Sequence, residues 1–228
     1  MRLIYIPKPV SAFFQAKYGR LYNWYAGVDA RNIANTGWHV PTTAEHGTLV
    51  TYLGGGTVAG GHLKETGTTY WNSPNTGADN SSKFNFRGSG DRSGLGVFEN
   101  IKIQGYIWAS TQAISTTGNY LSCFYINIST SGHPGSGASL DKKRGHGLRL
   151  VKDSTTLTNG QSGTYIGNDG KIYRTIAIGS PAKEWLADNL AETKYRNGDS
   201  IPIVTDNTAW AALTTGAMCS YNNDDNNI

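Results

Sequence analysis

Between residues 54 and 105 the chain is rich in Gly, Ser, Asn and Thr, yet single aromatic residues recur through it as Trp71, Phe84, Phe86 and Phe98. No other feature narrows the fold as far. A disordered segment lacks such recurring apolar anchors, and a helical bundle does not tolerate so much glycine, which costs a helix interior about 1 kcal/mol per residue relative to alanine. Glycine is 29 of 228 residues and charged residues are only 16%, against typical values of ~7% and ~25%. What remains is a loop-rich β or α+β domain in which buried aromatics pin irregular segments. The length suits one large domain or two small ones and is enough to bury a core.

Helix signals are few. Gly37-Trp38-His39-Val40-Pro41 leads into Thr42 and Thr43, either of which can cap a helix. Glu45 falls in its first turn, where a carboxylate meets the positive end of the helix dipole. Leu49, Val50 and Leu53 supply its apolar face, and Gly54-Gly55-Gly56 ends it. A second helix is expected to start at Asp206 or Asn207 and to carry Trp210 and Leu213. Strands are expected at 105–110, 120–129, 147–152 and 171–178, the last entered through the turn Gly167-Asn168-Asp169-Gly170. In 120–129 the alternation places Phe124, Ile126 and Ile128 inward and Tyr125, Asn127 and Ser129 outward. The 171–178 strand should lie next to the 147–152 strand, and Trp24, Trp38, Trp108, Trp185 and Trp210 should be buried. Residues 1–16 read as an N-terminal appendage and 154–162 as a polar linker between segments 17–153 and 163–228.

Several chemistries are set aside. The net charge is +4, but apart from Lys142-Lys143-Arg144 the basic residues are scattered, so a nucleic-acid stripe is not expected. No apolar run reaches the length of a membrane span, and Leu3 to Ile6 is too short for a signal-peptide core. The chain is therefore expected to leave the cell by another route, to have lost its leader, or to belong to a virion. Gly54-Gly55-Gly56 and Gly60-Gly61 lack the Lys-Ser/Thr of a phosphate loop. Cys123 and Cys219 match no zinc spacing. Cys123 sits in an apolar run as a buried thiol would, and a bridge to Cys219 stays open. His39, His46, His62, His133 and His146 are dispersed and form no triad order. Asp224 and Asp225, among four asparagines, read as a solvated turn. The chain is thus expected to be no enzyme and to carry no cofactor or metal.

The residues Gly170-Lys171-Ile172-Tyr173, Ile176-Ala177-Ile178-Gly179, Glu184-Trp185-Leu186-Ala187-Asp188-Asn189-Leu190 and Tyr195-Arg196-Asn197-Gly198-Asp199 form one set of motifs. Tyr18-Gly19-Arg20-Leu21-Tyr22-Asn23-Trp24-Tyr25-Ala26, Gly37-Trp38-His39-Val40-Pro41-Thr42 and Gly147-Leu148-Arg149-Leu150-Val151-Lys152-Asp153 form another. Together they resemble the Fibrobacter succinogenes major paralogous domain, found in gut Bacteroidetes proteins and phage tails. The resemblance covers roughly 17–153 and 163–226, with the two halves in the opposite order to the family's. It implies an α+β, C-type-lectin-like domain of two helices on a small twisted antiparallel sheet with long packed loops. It also implies either a circularly permuted monomer or a domain-exchanged oligomer. Leu150 replaces a cysteine common in relatives, and His46 replaces a common tryptophan. The lectin-type calcium site is not implied, because Ser73-Pro74-Asn75 lacks an acidic partner. The paired cysteines of the related formylglycine-generating oxidases are missing too.

The stretch 110–145, rich in Ser, Thr, Gly, Asn, Tyr and His, has the composition of an adaptable binding surface. In lectin-like proteins of diversity-generating retroelements, which the chain resembles, this part of the fold varies and binds ligand. The adenine-variable set would include Thr111, Ile114, Ser115, Thr116, Thr117, Asn119, Tyr125, Asn127, Ser129, His133, Pro134 and Ser136. The expected ligand-binding residues are Thr111, Gln112, Tyr125, Asn127, Ser129 and His133. The expected partner is a protein or glycan on a cell surface, met by an extracellular, surface or virion protein, with no nucleic acid and no membrane insertion. The competing expectation is a structural or assembly domain docked through residues 1–16.

Overall fold

The computed structural model describes residues 13–115, 118–129, 136–138 and 141–228, leaving out the side chains at 113–115, 118–123 and 136–138. In chain order the elements are β1 (Leu21–Tyr22), α1 (Trp24–Gly27), β2 (Trp38–His39), α2 (Thr43–Tyr52), α3 (Ala59–Leu63), β3 (Ser89–Arg92), β4 (Phe98–Ile101), β5 (Gln104–Ser115), β6 (Gly118–Asn127) and β7 (Ser136–Ala138). They continue with β8 (Val151–Lys152), β9 (Ser162–Ile166), β10 (Ile172–Gly179), β11 (Ala182–Leu186), α4 (Asn207–Ala211) and β12 (Met218–Cys219). One five-stranded sheet runs β2-β8-β11-β10-β9 and a second runs β4-β3-β5-β6-β7, while β1 pairs with β12. All pairings are antiparallel except β3 with β5. The class is mixed α+β.

The strongest local signals fold as their chemistry dictates. Thr42 caps α2, its hydroxyl accepting from the Glu45 backbone N–H while the Glu45 carboxylate accepts from that of Thr42, a reciprocal box that satisfies two otherwise orphaned donors. The helix ends at Leu53, and Gly54 and Gly55 follow with φ of 91° and 90°. Asp206 caps α4 without a reciprocal partner, its carboxylate accepting from the Ala209 N–H at 2.8 Å, although that helix spans only five residues. The turn at 167–170 joins β9 to β10 in register, with Ile172 opposite Ile166.

Two sheet expectations are corrected. The 171–178 strand does not lie beside 147–152, because β10 turns at Gly179 and returns as β11, which takes the place between β10 and β8. The 147–152 segment is regular strand only at Val151–Lys152. Upstream it runs extended between layers: Gly147 bridges Ile107, and the carbonyls of Leu148 and Leu150 accept from Leu190 and Leu186. A segment serving two sheets at once cannot hold one continuous ladder.

The apolar clusters draw on both ends of the sequence. One gathers Tyr22, Trp108 and Leu148 with Tyr173, Leu186 and Ile201; a second gathers Phe86 and Phe124 with Ile176 and Trp185; a third gathers Leu21 with Trp210 and Cys219. The five expected tryptophans are all buried. Cys219 is a buried free thiol, with burial pushing it up to about 11; the Cys123 side chain lies outside the described residues. Buried arginines tie loops across these clusters. The Arg149 guanidinium donates to the carbonyl oxygens of Phe84 (2.5 Å), Leu186 (3.0 Å) and Asn85 (2.9 Å) and to Asn189 Oδ1 (2.7 Å). Arg92 donates to Gly96, Val204 and Thr205 carbonyls and lies between the Phe98 and Trp210 rings. At Gly19, φ is +75° and a Cβ would sit 2.6 Å from Asn189 Cβ, so the close approach of these segments requires glycine.

Residues 13–16 join the body. Phe14 N–H donates to the Ile172 carbonyl and its ring meets Tyr173 edge-on, while Arg87 holds the Ala16 carbonyl. Residues 1–12 of the expected appendage lie outside the described residues. The expected linker is mostly exposed but anchored along its course: Gly160 N–H donates to the Ala177 carbonyl and the Thr155 hydroxyl to Glu184.

Candidate binding face

The sheet containing β5 and β6 has two unlike faces. Phe124 and Ile126 are fully buried, and Ile128 packs partly buried on the same cluster. Behind them lies α2, whose His46 ring is 5.0 Å from that of Phe124. The alternation therefore puts Tyr125 and Asn127 on the other face, half-buried, with Ser129 exposed just beyond the strand.

On that face four rings stack in sequence. Trp108 lies 4.3 Å from His146, His146 lies 4.7 Å from Tyr106, and Tyr106 lies 5.7 Å from Tyr125. The Trp108 end is closed over by β1 and α1: Trp108 Nε1 donates to the Tyr22 carbonyl and Trp24 Nε1 to that of Ala109. His146 is fully buried, and burial, reinforced by the positive charge of Arg144, holds it well below its ordinary value of 6.5. It is a neutral ring in the stack. The Tyr125 end remains half-exposed. Around it the Tyr106 hydroxyl donates to Gln104 Oε1, and Asn127 Oδ1 accepts from the Ser129 backbone N–H at 2.9 Å. Beneath, the buried Lys64 ammonium holds the Asn127 and Thr76 carbonyls at 3.1 and 2.8 Å. What reaches the surface is the part-exposed pair of rings Tyr106 and Tyr125, edged by the Gln104 and Asn127 amides, which suits contact recognition. Among the described residues no His, Cys, Asp or Glu group is arranged to hold a metal ion.

The six candidate residues do not form one patch. Tyr125, Asn127 and Ser129 lie together. Gln112 pairs with Leu121, four residues and about 13 Å along β6 from Tyr125. There it accepts from Lys142 Nζ at 3.2 Å, beside the Trp24 ring. Thr111 falls in the irregularity between Trp108 and Gln112, and its hydroxyl accepts from the Thr43 N–H at the start of α2. His133 lies outside the described residues, as do the side chains of Ile114, Ser115, Asn119 and Ser136. Gln104 and Tyr106 were not among the expected residues. They are the cross-strand partners of Asn127 and Tyr125, a relation that the alternation within one strand does not reveal.

Among the described residues no helix is long and apolar enough to cross a membrane. No curated protein and no solved structure matches the chain. The family model described as the Fibrobacter succinogenes major domain matches residues 11–152, which takes in α2, the β5–β6 pair and the whole ring stack. The chain therefore belongs to the Fibrobacter succinogenes major domain family.

Proposed function

We propose that this chain is a non-catalytic recognition module of a phage tail or bacterial surface protein, binding a protein or glycan on a cell surface. The observation that carries this reading is the ring stack that ends half-exposed at Tyr125, framed by Gln104 and Asn127 on a strand pair whose opposite face is core. Such a surface offers contact area from rings that lose little freedom on binding. We further read the fold as C-type-lectin-like with its halves exchanged in a single monomer. Supporting this, segments 17–153 and 163–228 share every apolar cluster, and β8 and β9, which flank the linker, belong to one sheet. Retroelement diversification of residues 111–136 remains part of the proposal, and a neighbouring reverse transcriptase with a template repeat is its genomic test.

The deciding experiment is binding to bacterial cells and to a glycan array by wild type and Tyr125→Ala. Aromatic anchors buried by a partner often carry 2 kcal/mol or more, so Tyr125→Ala should weaken binding about tenfold or more. Unchanged binding would remove this face from consideration. The second reading, an assembly domain, is favoured by the firm seating of Phe14 and Ala16, which presents whatever precedes Phe13 from a fixed point. It requires that deleting residues 1–12 abolish incorporation into a larger particle while leaving cell binding intact.

A further inference from the structure

Beside α2, a groove of about 720 Å³ runs between the helix, the turn joining β10 to β11, and residues 152–155. Its volume lies within the range of small-molecule sites, about 300–1,000 Å³. Leu49, Ile178 and Trp185 form the apolar floor, each at most 5% exposed. Thr48, Tyr52, Thr155 and Ser180 bring hydroxyls to the rim, and Tyr52 is 44% exposed.

Gly47 lines the same groove from the middle of α2. Nothing in the fold asks for glycine there: a Cβ would meet no atom within 4 Å, and the backbone is helical. A glycine inside an exposed helix costs about 1 kcal/mol relative to alanine. A longer side chain at this lining position would have empty groove space to extend into.

The charges at the groove are matched. Lys183 Nζ lies 3.0 Å from Glu45 Oε1, Lys152 Nζ lies 3.0 Å from Glu184 Oε2, and Asp153 Oδ1 lies 2.6 Å from His39 Nδ1. An anionic or cationic ligand would have to break one of these pairs. Thr48 and Thr155 already donate to the Ala44 carbonyl and to Glu184, but a purely apolar ligand would cover the Tyr52 and Ser180 hydroxyls and the remaining ammonium protons of Lys152 and Lys183 without offering them an acceptor. The ligand that fits is neutral, with one apolar face and polar edges, which is the chemistry of a pyranose. Its C–H face would stack on the Tyr52 ring and its vicinal hydroxyls would meet the rim.

We infer that this groove is a second binding site, for a neutral saccharide, with Gly47 in its lining. It is independent of the Tyr125 face, because α2 packs against the buried face of β6. The test uses the full chain and a panel of neutral gluco-, manno-, xylo- and galacto-tetrasaccharides, read by saturation-transfer NMR and calorimetry. At least one member should bind wild type. Gly47→Gln, which fills the groove with a better helix former, should weaken that binding about tenfold or more while the melting temperature holds or rises. Gly47→Ala should raise the melting temperature and keep binding, Tyr52→Ala should weaken it, and Tyr125→Ala should leave it unchanged. The inference is overturned if no neutral member binds, if an anionic oligogalacturonate binds more tightly, if Gly47→Gln binds as wild type, or if the loss follows Tyr125→Ala.

Discussion

Phe124 and Tyr125 are neighbours in one strand, and replacing each by alanine should have very different costs. Phe124 is fully buried, its ring 5.0 Å from His46 and 5.8 Å from Phe86. Truncation removes a whole ring from a packed cluster and leaves a cavity that the β5 and α2 contacts cannot close, at about 3–5 kcal/mol. Tyr125 is half-buried and its described ring contact is the offset stack on Tyr106 at 5.7 Å. Losing that pair costs about 0.5–1.5 kcal/mol. For a domain of this size each kcal/mol moves the melting temperature by roughly 2–4 °C. Phe124→Ala should therefore melt roughly 10 °C below wild type and Tyr125→Ala only a few degrees below. Urea denaturation gives the free energies directly, with the slope m unchanged if both variants unfold as wild type does. Equal midpoint shifts for the two variants would refute the two-faced description of this sheet and the binding face built on it.

Other outcomes follow from the polar contacts. Although burial alone would raise it, hydrogen bonds from His39, the Thr42 N–H and Lys183 hold the Glu45 carboxyl well below its ordinary 4.5, while Glu45 and Asp153 raise His39 above its ordinary 6.5. The Glu45 contribution is present above 4.5 and is lost as pH falls below it; the His39 contribution is complete below 6.5 and is lost as pH climbs through its raised value. The melting-temperature difference between wild type and Glu45→Gln, followed between about pH 3 and 9, should peak between those two values; a flat difference would contradict the network. Burial lowers Arg149 to about 9, and Arg149→Met would strand three carbonyls and the Asn189 amide, each costing about 1–3 kcal/mol. It should give little folded protein, and Arg149→Lys should not rescue it because an ammonium cannot span the four acceptors; a well-folded Arg149→Met with a wild-type midpoint would overturn that role.

Local chemistry made part of this fold readable from the chain. Thr42 with Glu45 specifies a helix start within three residues, and Gly167 to Gly170 specifies a hairpin without reference to anything distant. The facing of Phe124 and Tyr125 needs only the period of the pleat. What escaped reading depends on partners far away in sequence. The return of the chain as β11 looks in sequence like a bare apolar signal at Trp185 and Leu186, and only pairing to β8 makes it the middle of a sheet. Tyr125 pairs with Tyr106, which lies well before Thr111 and Gln112 on β5, and no composition rule gives the register of one strand against another. Gln104 and Tyr106 joined the face only once the register of β5 against β6 was known. The basic residues are merely scattered along the sequence, with nothing to mark Arg92 and Arg149, which are wholly buried among carbonyls.

The arginine ties have a consequence for connectivity. Arg92 and Arg149 stand in 17–153, yet they hold Val204, Thr205, Leu186 and Asn189 of the other segment. The covalent link through residues 154–161 thus contributes chiefly as a tether, raising the effective concentration of one segment at the other to a level on the order of millimolar. A protease that cuts at the exposed Thr158, Asn159 or Gly160 should leave two pieces that travel as one particle on a sizing column and separate only in denaturant. Above the dissociation constant of that pair, the module would tolerate a cut, or a passenger sequence inserted there, with its binding face intact.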